Sequence, residues 1–173
     1  MIALELSRPV SVVQLGTGEK TFKIETDAAE REALAKRFDI VAVTALTAVV
    51  RLKVLPGGAI VRLLGRFQAD VVQSCVISLD PVPAHLDEEF ELTYGPEPDD
   101  EAEEIVLDLD AQDPPEPIVD GEIDIGEAVA EHLALALEPF PRAPGAVFAE
   151  GGEEPAEAPR PNPFAVLAGL KKK

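Results

Sequence analysis

The chain has 173 residues and a net charge of −18 at pH 7, with no tryptophan, one tyrosine and one cysteine. This length fits one domain with a substantial hydrophobic core. The single cysteine, Cys75, excludes an internal disulfide framework and favours a reducing cytoplasm. No apolar run reaches the length of a membrane span, and the N-terminus lacks the basic and apolar regions typical of a signal peptide.

The acidic excess lies in one part of the chain. Residues 1–66 contain ten basic and seven acidic residues, whereas residues 67–141 contain twenty-two acidic residues and no lysine or arginine. Such a segment repels nucleic-acid phosphates and attracts basic partners over about 8–10 Å at physiological salt. The alternative is that acidic loops only keep the protein in solution.

The N-terminal part predicts a hairpin followed by a helix. Pro9–Leu15 and Lys20–Glu25 have the composition of short strands, and Gly16-Thr17-Gly18 has that of the turn between them. Asp27–Phe38 predicts a helix, in which Asp27 and Glu30 would form a capping box. Its modest apolar stripe consists of Ala29, Leu34 and Phe38.

Three segments between residues 40 and 94 alternate with period two, which is typical of antiparallel strands with one buried face. Three strands are predicted, and Pro56-Gly57-Gly58 is the turn of a hairpin between the first two. The apolar side of the first strand contains Ile40, Ala42, Thr44, Leu46, Ala48, Val50, Leu52 and Val54. That of the second contains Ala59, Val61, Leu63, Gly65, Phe67, Ala69 and Val71. That of the third, less regular strand contains Leu86, Glu88, Phe90, Leu92 and Tyr94.

The main helix is predicted within Glu122–Pro141. Asp124 caps its start and Glu127 completes a capping box, while Pro139 and Pro141 end it. Its apolar face consists of Ile125, Val129, Leu133 and Ala136, widened by Leu135 and Leu137. Because such a helix must pack on something, the predicted fold class is α+β. An antiparallel sheet of several strands is covered on one face by Asp124–Glu138 and Asp27–Phe38, and a barrel-like closure is the alternative.

The remaining segments predict one domain at residues 1–142 followed by a tail. Gly95–Glu104 is predicted to be an exposed acidic loop, and Ile105–Leu109 a further short strand. Residues 143–161, rich in proline, alanine, glycine and glutamate, predict a flexible linker. Residues 162–173 predict a short helical motif with Phe164, Leu167 and Leu170 on one side. Since a helix of this length is marginal alone in water, we expect it to dock on a partner or on its own sheet.

Four segments together resemble one known family. They are Cys75-Val-Ile-Ser-Leu-Asp-Pro-Val-Pro, the acidic strand ending Glu89-Phe90-Glu91-Leu92, the helix between Ile123 and Pro141, and the closing Asn162-Pro-Phe-Ala-Val-Leu-Ala-Gly-Leu. Their order and spacing are similar to those of the YceD family of small bacterial proteins, over roughly residues 60–170, and the closing segment is similar to the tail of its alphaproteobacterial members. The resemblance implies a role in accumulation of the large-subunit ribosomal RNA, with no established enzymatic activity.

The resemblance also raises the question of zinc, because many members of that family carry Cys-x-x-Cys at this point and further cysteines after the helix. Here Ser78 stands at the second position, and Cys75 with His85 and His132 cannot supply the four ligands of a structural zinc site. We therefore predict no metal and no cofactor, with Cys75 a small buried residue rather than a reactive thiol.

Two other motifs are incomplete. Asp108, Asp110 and Asp113 lack the central glycine and terminal glutamate of a calcium-binding loop. The run from Gly16 to Thr21 lacks the glycine spacing of a phosphate-binding loop. Neither motif supports an ion or nucleotide site.

The function predicted from these observations is that of a non-enzymatic factor in large ribosomal subunit biogenesis. It would hold a basic protein client, such as a ribosomal protein or an assembly intermediate, without a small-molecule substrate. The candidate partner-binding residues are Asp87, Glu89, Glu91, Asp99, Asp100, Glu101, Glu103, Glu104, Phe164, Leu167 and Leu170.

Two rival functions remain open. The first is an RNA-binding module that uses a basic strand face of Arg51, Lys53, Arg62 and Arg66, although surface aromatics able to stack on bases are scarce. The second is a hydrolase or metalloenzyme, for which His85 or His132 would have to meet carboxylates in a deep cleft.

Overall fold

The computed structural model describes residues 5–96 and 114–147. Strands and helices alternate in the first part of the chain, and long strands dominate its centre. The elements are β1 (Pro9–Ser11), a single 3-10 turn (Val12–Gln14), β2 (Glu19–Glu25), α1 (Ala28–Arg37), β3 (Ala42–Val54), β4 (Val61–Ser74), β5 (Pro81–Gly95), β6 (Glu116–Pro117), β7 (Glu122–Asp124) and α2 (Ile125–Ala136).

Most strands belong to one sheet in the order β2-β3-β4-β5-β6. Neighbouring strands in this sheet are antiparallel, except β5 and β6, which run parallel. β1 and β7 form a separate antiparallel pair. The predicted α+β class with an antiparallel sheet is confirmed. The barrel-like alternative is wrong, because the described strands stay open with β2 at one edge and β6 at the other.

Both helices lie on the same face of this sheet. α1 packs on β3, and α2 packs on β4, β5 and β1. Side chains alternate along the long strands, so that Val50, Leu63 and Phe67 are buried beneath the helices while their neighbours in sequence face away. One continuous hydrophobic core results.

The start of α1 is built as the sequence predicts. The Glu30 amide donates to Asp27 Oδ1 at 2.8 Å, and the Asp27 amide donates to Glu30 Oε2 at 2.9 Å, which completes the capping box. The buried face differs from the predicted stripe, since Ala29 is exposed whereas Ala35 is buried beside Leu34.

The start of α2 follows the prediction only in part. Asp124 Oδ1 accepts from the amides of Gly126 and Glu127, at 2.9 and 3.1 Å, so it is the cap. The carboxylate of Glu127 instead accepts two hydrogen bonds from Arg37, at 2.5 and 2.8 Å, which ties α2 to the end of α1. These bonds raise the pKa of Arg37.

The end of α2 also differs from the predicted apolar face. The helix ends at Ala136, before Pro139, as expected. Leu135 does not widen the buried face, because its side chain points to solvent and is 80% exposed, whereas Ala128 and Ala130 are buried. The small alanines let the helix lie close to the sheet.

Two features of the strands were also predicted wrongly. The opening hairpin does not form, because β1 pairs with β7 and β2 pairs with β3. The alternation in β3 shifts at an irregularity between Val43 and Ala45. Thr44 therefore faces away from the core and donates to the carbonyl of Asp70 at 3.0 Å, while Val43 is buried.

Candidate functional site

The face of the five-stranded sheet that lies opposite the helices is exposed, and we call it the open face. Alternation along the strands puts charged side chains from three neighbouring strands on it. They are Arg51 and Lys53 of β3, Arg62 and Arg66 of β4, and Asp87, Glu89 and Glu91 of β5. The predicted RNA contacts and three of the predicted protein contacts thus share one surface.

A bidentate ion pair on the open face joins Arg66 of β4 to Asp87 of β5. Arg66 Nε and Nη2 donate to the two carboxylate oxygens of Asp87, both at 2.8 Å, and Gln68 Nε2 donates to the same carboxylate at 3.0 Å. A bidentate pair of this kind is strong for a surface contact. The hydrogen bonds from Arg66 and then Gln68 lower the pKa of Asp87 to about 2.

Arg62, the other arginine of β4, also pairs with a carboxylate of β5. Arg62 Nε lies 3.0 Å from Glu91 Oε1, and Arg66 Nη1 lies 3.5 Å from Glu89 Oε1. These contacts are solvent-exposed and contribute little to stability. They do place positive charge among the carboxylates of β5, so Arg62 and Arg66 are poorly placed to bind phosphates.

Arg51 and Lys53 lie towards the opposite edge of the sheet. Their cross-strand neighbours on β2 are Thr21 and Glu19, and Lys23 follows one row further along. Within residues 5–96 and 114–147, neither Arg51 nor Lys53 forms an ion pair. On β2 and β3 the open face has three basic residues, Lys23, Arg51 and Lys53, against Glu19 and Glu25, and we call this part the cationic side. Its anionic side is β5.

Two shallow depressions cross the open face between these sides. One is lined by Lys23, Ile24, Glu25, Thr47, Ala48, Val49, Arg66 and Gln68. The other is lined by Val49, Arg51, Leu64, Gly65, Arg66, Glu89, Phe90 and Glu91. Neither contains a histidine or cysteine, and both are wide and open, which suits contact with a macromolecule better than capture of a small substrate.

The two histidines occupy unrelated environments. His85 lies on the open face with Nδ1 2.7 Å from Asp70 Oδ1, and both side chains are more than half exposed. His132 lies under the sheet, where its ring stacks on Phe90 with centroids 4.0 Å apart and its Nδ1 lies 3.0 Å from the carbonyl of Ala128. His85 thus meets a carboxylate on an open surface, and the contacts of His132 are those of a packed side chain.

Cys75 is held at the end of β4 by backbone donors. Its buried sulfur accepts from the amides of Ala143, Ser78 and Ile77, at 3.2, 3.4 and 3.5 Å. The Ala143 amide, followed by the contacts from Ser78, lowers the pKa of the thiol to about 6. The sulfur therefore joins the segment after α2 to the β4–β5 turn.

This arrangement does not fit a zinc ion. In the described part of the chain, no three Cys, His, Asp or Glu residues come together in a way that could hold a metal. The donors around Cys75 are backbone amides, which favour an anionic sulfur but cannot coordinate a cation. Ser78, at the second motif position, contributes its amide to the sulfur.

Comparison with known proteins decides the family. A family model described as "Large ribosomal RNA subunit accumulation protein YceD" matches residues 63–171. The chain belongs to the YceD family. No curated protein and no solved structure matches it.

The YceD match covers part of the candidate site. It includes every predicted acidic contact and the three apolar residues of the tail, whereas Arg51, Lys53 and Arg62 precede it. The family description connects the chain with accumulation of the large ribosomal RNA, and so with biogenesis of the large ribosomal subunit. Among the described residues, no helix is long and apolar enough to cross a membrane.

Several predicted residues lie outside the described ranges. Ile105–Leu109, predicted as a strand, is one such segment, and most of the predicted linker is another. The predicted site residues outside these ranges are Asp99, Asp100, Glu101, Glu103, Glu104, Phe164, Leu167 and Leu170. Their roles remain predictions.

Pairing between the two charged sets was missed by the sequence analysis. The sequence did signal that the strands are neighbours, because a short connection after β4 favours an antiparallel β5. It did not give the register, which puts Arg66 opposite Glu89. The sulfur contact from Ala143 had no such signal, since the residues are separated by 68 positions.

Proposed function

We propose that this YceD protein is a non-enzymatic factor in large ribosomal subunit biogenesis that holds a basic protein client on its acidic side. The observation that carries the proposal is the division of the open face, where the carboxylates of β5 collect at one edge. In the sequence this charge extends over two segments, Asp87–Glu104, which begins within β5, and Asp108–Glu122, which contains β6. A ribosomal protein or an assembly intermediate is the kind of client that this charge fits.

The physical role of the charge is to speed encounter. Complementary charge raises association rates more than it deepens affinity, and the effect weakens as salt is added. A client attracted in this way can be passed on when it meets ribosomal RNA, whose phosphates compete for the same lysines and arginines. Slow release would require further, apolar contacts.

Those further contacts are assigned to the tail in this proposal. Phe164, Leu167 and Leu170 recur at helical spacing and precede three lysines at the C-terminus. An amphipathic helix of this type binds in a groove of a partner through its apolar side. The reducing cytoplasm, where ribosomes assemble, remains the predicted location.

A second candidate function rests on the cationic side of the open face. Arg51 and Lys53 make no ion pair within the described ranges, and Lys23 lies nearby. These residues could contact RNA phosphates without aromatic stacking. Because Arg62 and Arg66 are occupied by acids of β5, fewer cations are available for RNA than the sequence indicates.

The deciding experiment is a pull-down of the tagged full-length chain from cells at low and at high salt, in which both protein and RNA are identified. It includes a form that lacks the last 12 residues and a form with Arg51→Glu and Lys53→Glu. We expect basic ribosomal proteins to be recovered at low salt, to be lost at high salt, and to be retained by the Arg51→Glu/Lys53→Glu form. The shortened form should recover less.

Three results would overturn the proposal. The first is recovery of ribosomal RNA, without protein, that the Arg51→Glu/Lys53→Glu form loses, which would support the RNA-binding candidate. The second is recovery of basic proteins that salt does not change. The third is turnover of a small substrate by the purified protein.

A further inference from the structure

The outer edge of β5 is a long strand edge with few strand partners among the described residues. Within residues 5–96 and 114–147, β6 pairs only with Tyr94 and Gly95 at the end of this long strand. Beyond that point the described chain places no strand beside β5. Among the described residues, the backbone from Pro81 to Thr93 therefore has strand partners on the β4 side alone.

The hydrogen bonds at both ends of the sheet fix which residues present their backbone to this edge. Ile118 donates its amide to the Gly95 carbonyl at 2.9 Å, so the polar groups of Gly95 point away from β4. Direction alternates along a strand, and the β4–β5 register runs without a shift from Ser74↔Pro81 to Val61↔Tyr94. The backbone N–H and C=O groups of His85, Asp87, Glu89 and Glu91, which precede Gly95 in β5, therefore also point outwards.

The β3–β4 turn and two prolines give the same answer. The Leu55 amide donates to the Ile60 carbonyl at 2.8 Å, so the backbone groups of even-numbered residues in β4 point towards β3 and those of odd-numbered residues point towards β5. The backbone groups of Gly65 and its partner Phe90 therefore point towards each other. Pro81 and Pro83 have no amide hydrogen, and they occupy positions of the outward set. The next four residues of the outward set, His85 to Glu91, each have an amide hydrogen that can be donated at this edge.

This edge has little of the protection common at exposed strand edges. β5 contains no lysine, its pairing with β4 has no bulge, and its two prolines lie among its first three residues. Its protection is negative charge, from Glu88 on the helix side and from Asp87, Glu89 and Glu91 on the open face. Charge of one sign repels the same edge of a second copy.

We propose that the outer edge of β5 binds an extended basic segment of the client as an added strand. Backbone hydrogen bonds to His85, Asp87, Glu89 and Glu91 would hold the segment, and lysine or arginine at alternate positions would meet the exposed carboxylates of β5. This inference rests on the proposed function and specifies how the client is recognised.

The test uses the full-length protein and a fluorescent decapeptide of alternating lysine and threonine as the probe. A second peptide has the same composition and charge but carries backbone N-methyl groups on alternate residues, which block hydrogen bonding along one edge. A third has glutamine in place of lysine. We expect the first peptide to bind, and the N-methylated and glutamine peptides to bind at least about fivefold more weakly, the effect of one lost hydrogen bond.

Two matched pairs of protein variants remove an outward amide while keeping the charge change constant. Glu89→Pro is compared with Glu89→Thr, and His85→Pro with His85→Thr. Proline at these positions removes no bond to β4, and thermal unfolding checks that each variant is folded. Each proline variant should bind the first peptide about fivefold more weakly than its threonine partner.

Amide hydrogen exchange provides the second measurement. In the free protein the amides of Asp87, Glu89 and Glu91 should exchange quickly while those of Glu88 and Phe90 are protected, and the peptide should slow the first set. Protection of that first set in the free protein would mean that the chain itself or a second copy occupies the edge, and would overturn the inference.

The outcomes separate the inference from the proposed function. If the lysine peptide binds better than the glutamine peptide but N-methylation and both proline variants have no effect, strand addition is wrong and charge-based holding survives. If the lysine and glutamine peptides bind equally, or neither binds, both the added strand and acidic holding are contradicted.

Discussion

Arg66 of β4 and Asp87 of β5 form a bidentate pair between diagonal positions of the two strands, with both nitrogen–oxygen distances at 2.8 Å. The pair joins a residue predicted to contact RNA to one predicted to contact protein. Its consequence is that the open face is not a uniform basic patch. Positive charge remains accessible mainly near β2 and β3, and negative charge is concentrated at β5.

The pair makes the titration of Asp87 a direct test of this geometry. The pKa of Asp87 is about 2, whereas an unperturbed aspartate has a pKa near 3.9. Since the folded-state pKa is depressed, the stabilisation is present above about pH 4 and is lost as the pH falls from about 4 to about 2. Arg66→Gln should raise the pKa towards the usual value, and Arg51→Gln should leave it unchanged, as measured by NMR of the side-chain carboxyl. Equal values in wild type and Arg66→Gln would exclude the pair in solution.

The close approach of α2 to the N-terminal segment predicts a strong effect at Gly126. A methyl group there would lie 2.8 Å from the Leu6 carbonyl oxygen and 2.9 Å from the Arg8 nitrogen, so the backbone would have to move. Gly126→Ala should reduce the free energy of unfolding by about 1–3 kcal/mol, measured by urea denaturation.

Gly18→Ala is the matched control, because its added methyl group meets nothing within 4 Å. It should change the free energy of unfolding by less than about 0.5 kcal/mol. Equal effects of the two substitutions would mean that residues 6–8 are not packed on α2.

Gly65 leaves room for the ring of Phe90, which lies between Phe67 and His132. An added methyl group at Gly65 would overlap that ring, and the stacked imidazole of His132 leaves it no free space on the helix side. Gly65→Ala should cost about 1–3 kcal/mol in the free energy of unfolding and shift the NMR signals of His132. Phe90→Leu in the same chain should recover part of this loss, and an additive double variant would contradict the contact.

The sulfur of Cys75 provides a test of the segment that follows α2. Thiolate absorbance should appear with a midpoint near pH 6 in wild type and in Ala143→Gly, which keeps the amide. Ala143→Pro removes that amide and should raise the pKa. Because the folded-state pKa lies below the usual thiol value, stability relative to Ala143→Pro should increase as the pH rises from about 6 to about 9. Identical midpoints in the three proteins would contradict the contact.

The parts of the fold that follow local rules could be predicted from the sequence. The capping box of Asp27 and Glu30, the cap at Asp124 and the alternation in β4 each depend on residues a few positions apart. The partner of β1 could not be predicted, because β7 lies more than a hundred residues away and the glycine turn after β1 favoured a local hairpin. The irregularity at Val43 also leaves no local signal, since Thr44 fits either face of a strand.

The candidate site could likewise be predicted from the sequence only in part. The sequence placed the charged residues on strands with the correct alternation, which is why all seven in the described strands share the open face. It did not indicate which charges neutralise each other, since this depends on the register between β4 and β5. For the same reason the sequence alone overstated the cations available to RNA.

The most direct test of the acidic holding surface compares two variants of equal net charge in a quantitative pull-down from cells. One carries Glu88→Gln, Glu89→Gln and Glu91→Gln on β5, and the other carries Glu19→Gln, Glu25→Gln and Glu32→Gln on β2 and α1. If the β5 carboxylates hold the client, the first variant loses most of the basic ribosomal proteins that the wild type recovers, and the second keeps them. Equal recovery by both variants would contradict an acidic client-binding site on β5.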